Sequence, residues 1–393
     1  MTERSSVAVR LSLFYAALFG VVGVQLPFWP LYLSAKGMTA AEIGQMLAAA
    51  YFVRVVTNPL VGHAADRRGE RRPLLIALAA VSLSSTACFA PADGFAWLMI
   101  VTLVSSAAFT AMMPLGDALT LQSAAAHRLD YGRLRLWGSL SFIAVSGLAG
   151  LTLVDAPRSA ILLCCLATLA FTLVAAWLLP EAASRRPNAS ARPIWPWLKH
   201  PTFVLFLAAS SATQVSHMIY YGFATLYWRQ AGLSGAVIGG LWAESVIAEV
   251  VLFACSARLV GRFGPGRLLA SAGLAGVIRW SVLAATTDPW ILAGIQTLHA
   301  LTFAAGHLGA MHFIYRAAPP AMAARAQGIY ASVSMGLVPG LAMLVSGSLY
   351  QRLGANAFLV MSAFAACGFV LSLRLLKVWS GGLRFEAHPP SDA

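Results

Sequence analysis

Charge is what this chain has least of. Only 10% of its 393 residues are charged, against about 25% in soluble domains. Acids are the scarcer sign, with 14 Asp and Glu beside 27 Lys and Arg. A water-soluble fold could not cover itself with so few polar side chains. Cysteine is sparse too. Cys88, Cys164, Cys165, Cys255 and Cys367 lie in apolar stretches without metal-ligand spacing, so packing is their expected role. The phosphate-cradling pattern Gly-x-x-x-x-Gly-Lys-Ser/Thr is missing, which argues against ATP as an energy source. No hydrolytic constellation stands out, and we expect neither enzyme activity nor a cofactor. Residues 1–9 lead into an apolar stretch too long for a signal-peptide core, with no small-residue cleavage site after it. No cleaved signal is expected.

What the chain does have is apolar length. Residues of that kind make up 59% of it, and about twelve stretches approach the roughly 20 residues that cross a bilayer. They cover 10–34, 42–63, 73–92, 95–122, 135–154, 159–180, 201–227, 236–257, 267–286, 289–313, 325–349 and 355–378. In lipid each must satisfy its own backbone, so each is expected to be a helix. The expected class is all-α integral membrane.

A net charge of +13 could suggest nucleic acid, but its distribution does not. Of the 27 Lys and Arg, 21 fall in the termini and in alternate loops that twelve spans put on one side. Lys36, Arg158, Arg229 and Arg352 fall on the other, and Arg54 and Arg279 lie within spans. The positive-inside rule then puts both termini in the cytoplasm of a bacterial inner membrane. The basic loops face anionic headgroups, with no nucleic-acid partner expected.

The chain also repeats itself at an offset of 195 residues. Phe28, Leu31, Tyr32, Gly37, Ile43 and Gly44 recur as Phe223, Leu226, Tyr227, Gly232, Ile238 and Gly239, and Arg67, Gly69 and Arg72 as Arg262, Gly264 and Arg267. Between the copies, residues 181–200 are polar and contain proline. The expected organisation is a six-helix bundle over 1–180, a cytoplasmic linker over 181–200, a second six-helix bundle over 201–380, and a disordered tail over 381–393. Two homologous membrane halves imply a site between them. We expect a monomer.

The segment Gly62-His-Ala-Ala-Asp66-Arg67-Arg68-Gly69-Glu70-Arg71-Arg72 lies between the second and third spans. It is similar to the major facilitator superfamily signature, glycine followed by Asp-Arg-x-Gly-Arg-Arg. A topogenic basic loop would explain its arginines but not its degenerate repeat, where Gly261 stands in place of Asp66. Gly62 would permit close helix contact and Gly69 a tight turn. Asp66 would cap a helix or pair with a basic residue across the half interface. The resemblance implies alternating access by rocking of two six-helix bundles, with gating by Gly62, Asp66, Arg67 and Gly69.

Tyr131-Gly-Arg-Leu-Arg135-Leu-Trp-Gly-Ser139 resembles the fifth-helix motif of lactose permease and the phenylpropionate permeases. Asp117 and Arg135 are equidistant from residue 126, in the expected turn between the fourth and fifth helices, so they should sit at similar depth. They could bind substrate or simply hold two helices together. In the second half the same arithmetic aligns His217, Glu249, Arg279 and His299 in one layer, roughly 15–24 Å from their turns at 1.5 Å per residue. Each ionisable group costs roughly 2.5–3.5 kcal/mol to insert, so four at matched depth point to function over accident. The offset of 195 also sets Arg54 opposite Glu249, as a possible charge pair across the cavity. Glu244 is five residues from Glu249 and faces another way. His307 could line the cytoplasmic half of the cavity. Tyr220, Tyr221, Trp242 and Trp280 are either cavity aromatics or packing.

Tyr220–Trp228, Ala248-Glu-Val250, Ile278-Arg-Trp280 and the run from Leu298-His299 to Ala310-Met311 all resemble the 3-phenylpropionic acid permease family. With Leu26-Pro-Phe-Trp29 and Tyr131–Ser139, the likeness covers essentially the whole chain. Lactose permease carries its coupling glutamate three residues after its tenth-helix histidine. Here that position is Thr302, which moves the coupling role to Glu249. The resemblance implies uptake of a small aromatic carboxylate, such as 3-phenylpropionate, driven by the proton gradient. Arg279, Asp117, Arg135, His217, Tyr221 and Trp242 would contact substrate. Glu249, His299, His307 and Arg54 would handle the proton, since imidazole titrates near neutral pH. Sugar or nucleoside symport, drug/proton antiport and a transport-inactive receptor are the alternatives.

The orientation has a direct test. Single cysteines at positions 36 and 229 should react with an impermeant thiol reagent on intact cells, and one at 188 only after permeabilisation. The reverse pattern overturns the assigned sidedness.

Overall fold

The computed structural model describes residues 3–181, 199–318, 320–379 and 381. The expected tail, apart from Gly381, and all of the linker but its ends lie outside these residues. Among the described residues, nine helical stretches are long and apolar enough to cross a bilayer. One of them, Arg325–Val378, holds two passes, because the chain reverses through a short turn at Gly354–Asn356. Ala40–Arg68 and the shorter Arg72–Ala87 complete twelve spans in two six-helix bundles.

The first six spans are Glu3–Ala35, Ala40–Arg68, Arg72–Ala87, Phe95–His127, Tyr131–Leu153 and Arg158–Leu178. The seventh, Pro201–Gln230, breaks at Ser216-His217. The eighth starts at Gly235 and runs on past Ala254 to Gly264, whose φ of 72° ends it and starts the ninth, which finishes at Ala285. The tenth, Pro289–Ala317, contains a π-turn at Ala300–Ala305, and the eleventh another at Val333–Leu337. Such turns mark functional sites in many helices. Ala357–Val378 is the twelfth.

The repeat is visible in local geometry. Thr39 caps the second span by accepting the Glu42 N–H, and Ser234, 195 residues on, caps the eighth by accepting the Val237 N–H. Gly37 and Gly232 turn with φ of 84° and 83°, Gly69 and Gly264 with 73° and 72°. Only glycine adopts such angles without strain. The halves meet through the second span against the eleventh and the fifth against the eighth. Both seams rest on bare backbone. A Cβ at Gly44 would lie 2.9 Å from the Gly347 nitrogen, and one at Gly150 would lie 2.5 Å from the Gly235 carbonyl oxygen. Lipid gives apolar helices no hydrophobic reason to associate, so close van der Waals approach between small residues holds them.

Packing differs at the two faces. On the face away from the termini, one buried cluster runs through both halves, joining Phe28, Tyr32 and Ile43 to Phe223, Trp228, Ile238 and Phe358. On the terminus-bearing face the core is split. Phe14, Leu75, Met112 and Leu134 belong to the first half. Phe206, Phe313, Tyr330 and Leu375 belong to the second. The molecule is closed on the far face and parted on the other. On that face Lys36 ties two turns of the first half together, donating to the Ala90 and Ala92 carbonyls and to Asp93 at 2.9 Å. That bond holds the exposed Asp93 carboxyl below its usual pKa. Its contribution is therefore present above the ordinary carboxylate range and lost as pH falls through the lowered value.

Bulk at the glycine seam should prevent closure. In Gly150→Val we expect the far face to stay open, so that a cysteine at the fully buried Leu33 position reacts faster with thiol reagent, while transport fails. Unchanged reactivity would show that the seam does not hold the closed state.

Candidate functional site

Two connected spaces lie inside the parted molecule. The outer one opens on the terminus-bearing face, has a volume of roughly 840 Å³, and is lined by Arg54, Asn58, Asp117, His307 and Tyr330 among others. The inner one has a volume of roughly 230 Å³. Its wall carries Trp29, Phe89, Phe109, Tyr221, Leu26 and Met343, with Gln25, Tyr51, Ser82, Thr86 and Ser106 as polar groups and no charged residue. Phe109 and Thr110 line both spaces.

Behind the cavity, the layer expected in the second half is assembled. Arg279 on the ninth span is fully buried. Its guanidinium donates to His299 Nδ1 at 3.0 Å, Thr302 Oγ1 at 3.1 Å and Gln296 Oε1 at 2.6 Å. The rings of Tyr220 and Trp280 lie 4.5 Å from its centre. Among the described residues no carboxylate comes within 4.0 Å of it, and its Nε has no hydrogen-bond partner. Glu249 does not touch it. His299 stands between them, its Nε2 3.6 Å from Glu249 Oε2. Glu249 and Arg279, expected in one layer, are therefore linked through His299 as a chain of three.

This geometry sets the histidine tautomer. Guanidinium has only donors, so His299 Nδ1 must accept, and its proton sits on Nε2, facing Glu249. His217, at the break in the seventh span, turns its Nδ1 to the Thr213 carbonyl at 3.0 Å and packs edge-on against Trp280. Trp280 donates to Ser216 at 3.2 Å. On the tenth span His299, Phe303 and His307 stack in line, with ring centres 5.5 and 6.4 Å apart. His307 reaches the outer cavity and His299 does not.

Other expectations need correction. Arg54 does not pair with Glu249. It crosses to the second half and donates to the Met335 carbonyl, in the π-turn of the eleventh span, with its guanidinium 5.0 Å from the Tyr51 ring centre. The reason is depth and direction: both residues lie in their spans, but Glu249 turns to His299 and feels the charge of Arg135. Asp117 and Arg135 form no ion pair in this structure. Asp117 accepts from Tyr15 at 2.6 Å and Tyr131 at 3.0 Å, and Arg135 lies over the rings of Phe19 and Tyr15. Tyr15 thus joins the two. Trp242 is buried under Tyr220, donating to Thr225 at 2.9 Å, and lines neither space, as is true of His217. Tyr221 does face the inner one.

In the loop between the second and third spans, Gly69 makes the expected left-handed turn. Nothing lies within 4 Å of a Cβ built on Gly62, so no close contact forms there in this state. Asp66 pairs with Arg71 of its own loop at 3.5 Å, not across the halves. Arg67 is exposed. The sequence reading missed Gln296, which ties Arg279 to Tyr220 by donating to the Tyr220 hydroxyl at 2.9 Å. A glutamine three residues before His299 in an apolar span was the available signal. It also missed Tyr15, which a sequence cannot distinguish from an interface tyrosine.

Comparison with known proteins gives the same architecture. Residues 8–360 match the MFS_1 like family. The chain is 34% identical over 361 residues to the probable 3-phenylpropionic acid transporter of Escherichia coli (strain K12), covering 90% of this chain and 94% of that one. It is 29% identical over 374 residues to the maltose permease of Geobacillus stearothermophilus, covering 93% of each. Among solved structures, a point variant of the nucleoside transporter NupG superposes with a TM-score of 0.83 at 16% identity, over 95% of this chain and all of that one. A bacterial homolog of the human lysosomal transporter Spinster, in an inward-facing and occupied conformation, gives 0.73 at 13% identity, over 96% of this chain and 98% of that one. At such identities the structures speak for the fold alone.

The bridge through Tyr15 can be measured. Asp117→Asn and Arg135→Gln should show a coupling above about 0.5 kcal/mol in a double-mutant cycle for substrate affinity, the usual level for interacting neighbours. In a Tyr15→Phe background the coupling should shrink. Additivity in both backgrounds would make the two residues independent.

Proposed function

The chain belongs to the MFS_1 like family of membrane transporters, and from that premise we propose that it carries a small aromatic carboxylate together with a proton, inward across a bacterial inner membrane. On this reading the terminus-bearing face is cytoplasmic and the structure is inward-open. No cofactor takes part; the proton gradient supplies the energy.

One observation carries the proton coupling: Glu249 faces His299 instead of the arginine behind it. A carboxylate locked onto a guanidinium would have little reason to take up a proton. Glu249 instead has only the Nε2–H of a neutral imidazole at 3.6 Å and the more distant charge of Arg135. Arg279 keeps that imidazole neutral by donating to Nδ1, so the transported proton resides on Glu249 and not on His299. Glu249 belongs to the eighth span and Arg135 to the fifth, the two that form one of the seams between halves. Protonation removes an attraction across that seam and so biases the rocking equilibrium. Phe303 keeps His307, at the cavity, one ring away from His299. Arg279, which reaches neither space, serves here to hold His299 and not to meet substrate.

The aromatic carboxylate is supported by the name of the Escherichia coli relative and by the uncharged, ring-lined inner space. A sugar or nucleoside substrate is the second reading. It is favoured by Gln25, Ser82, Thr86 and Ser106, which line that space and make no side-chain hydrogen bond to any described residue. Counterflow of radiolabelled phenylpropionate, maltose and uridine in proteoliposomes separates the two.

Glu249→Gln fixes the protonated form. It should abolish accumulation driven by an imposed pH difference and leave substrate exchange across the membrane intact, whereas Glu244→Gln should leave both. Accumulation that survives in Glu249→Gln places the coupling elsewhere.

A further inference from the structure

We propose that Arg54 is the ligand of the substrate carboxylate, holding it at the junction of the two spaces while the ring occupies the inner one. This rests on the aromatic-acid reading and moves the anion contact from the buried layer to the cavity wall.

Access is the first argument. Arg54 lines the outer space, whereas Arg279 is fully buried and lines neither. Of the described arginines and lysines, Arg54 alone is on the wall of either space. Charge is the second. Among the described residues no carboxylate lies within 4.0 Å of Arg54, and its one hydrogen bond goes to a backbone carbonyl, that of Met335. A half-buried guanidinium so placed gains from a bidentate carboxylate more than from a single amide oxygen. Position is the third. Tyr51 lines the inner space, and Arg54 follows it by three residues, about 4.5 Å further along the helix at 1.5 Å per residue. The guanidinium lies against the Tyr51 ring. A ring set among Trp29, Phe89, Phe109 and Tyr221 would direct a short acid arm past Tyr51 to Arg54.

The arrangement also gives substrate a way to act on the second half. Met335 belongs to the π-turn of the eleventh span, which packs on the second. A carboxylate that takes Arg54 removes a bond between the halves only when substrate is present. Binding energy is then used in one state of the rocking motion, as transport requires.

Binding of 3-phenylpropionate and of its uncharged amide to the full-length protein in nanodiscs tests this. Wild type should prefer the acid. Arg54→Gln should weaken the acid by more than about tenfold, the scale of a lost charge-assisted hydrogen bond, and change the amide by less than threefold. Arg279→Gln should leave that preference in place. Should Arg54→Gln fail to fold, Asn58→Asp serves: it sets a carboxylate four residues from Arg54, at ion-pair spacing on the same wall, and should weaken the acid selectively. Equal loss of acid and amide in Arg54→Gln would reduce Arg54 to a brace between halves. Selective loss of the acid in Arg279→Gln alone would return the anion to the buried layer. Either overturns the proposal. Wild-type protein that binds neither compound overturns the substrate reading, and this proposal with it.

Discussion

A charge placed at the middle of a bilayer must find its partners inside the protein, because no water is there to supply them. Much of this molecule follows from that constraint at Arg279. Its guanidinium is held by His299, Thr302 and Gln296 and lies against the rings of Tyr220 and Trp280. To deliver those groups the tenth span carries its π-turn just after His299, and the seventh breaks at His217. Tyr220 is in turn braced by Gln296 and Trp242. One cation, solvated by neutral groups, thus organises parts of four spans. It also fixes the tautomer of the histidine that Glu249 faces.

Part of this was legible in the sequence. Apolar runs of bilayer length gave the twelve spans, and the 195-residue offset matched caps and turns down to Thr39 with Ser234 and Gly69 with Gly264. Distances counted from turns set His217, Glu249, Arg279 and His299 in one layer, because helical rise converts sequence separation into depth. What counting cannot supply is rotation about each helix axis. Arg54 and Glu249 have equivalent positions yet face different partners. Asp117 and Arg135 have matched depth yet meet through Tyr15, whose hydroxyl reaches the acid while its ring lies beneath the arginine. Trp242 has the composition of a cavity wall and the location of a core residue. Residues that only solvate a charge, such as Gln296, carry no signature of their own.

The two halves have drifted apart in chemistry while keeping their frame. The offset that maps Arg54 onto Glu249 puts a fixed cation in one half and a titratable acid in the other, each with a partner across a seam: Met335 for the first, the field of Arg135 for the second. Between them lies a space whose inner part has no charge and whose outer part has both signs. Duplication supplied two equivalent positions, and divergence left a guanidinium at one and a carboxyl at the other.

The glycine seams have an energetic corollary. Gly44 against Gly347 and Gly150 against Gly235 meet backbone to backbone, while Val154 on Gly235 and Phe52 on Gly340 are side chains seated on a bare glycine across the seam. Parting such surfaces forfeits shallow dispersion contacts spread over a small area, each worth only about 0.1–0.2 kcal/mol. A seam of this kind costs little to part and re-forms without side-chain rearrangement over its bare stretches, which suits a surface that two rocking halves must separate and close again.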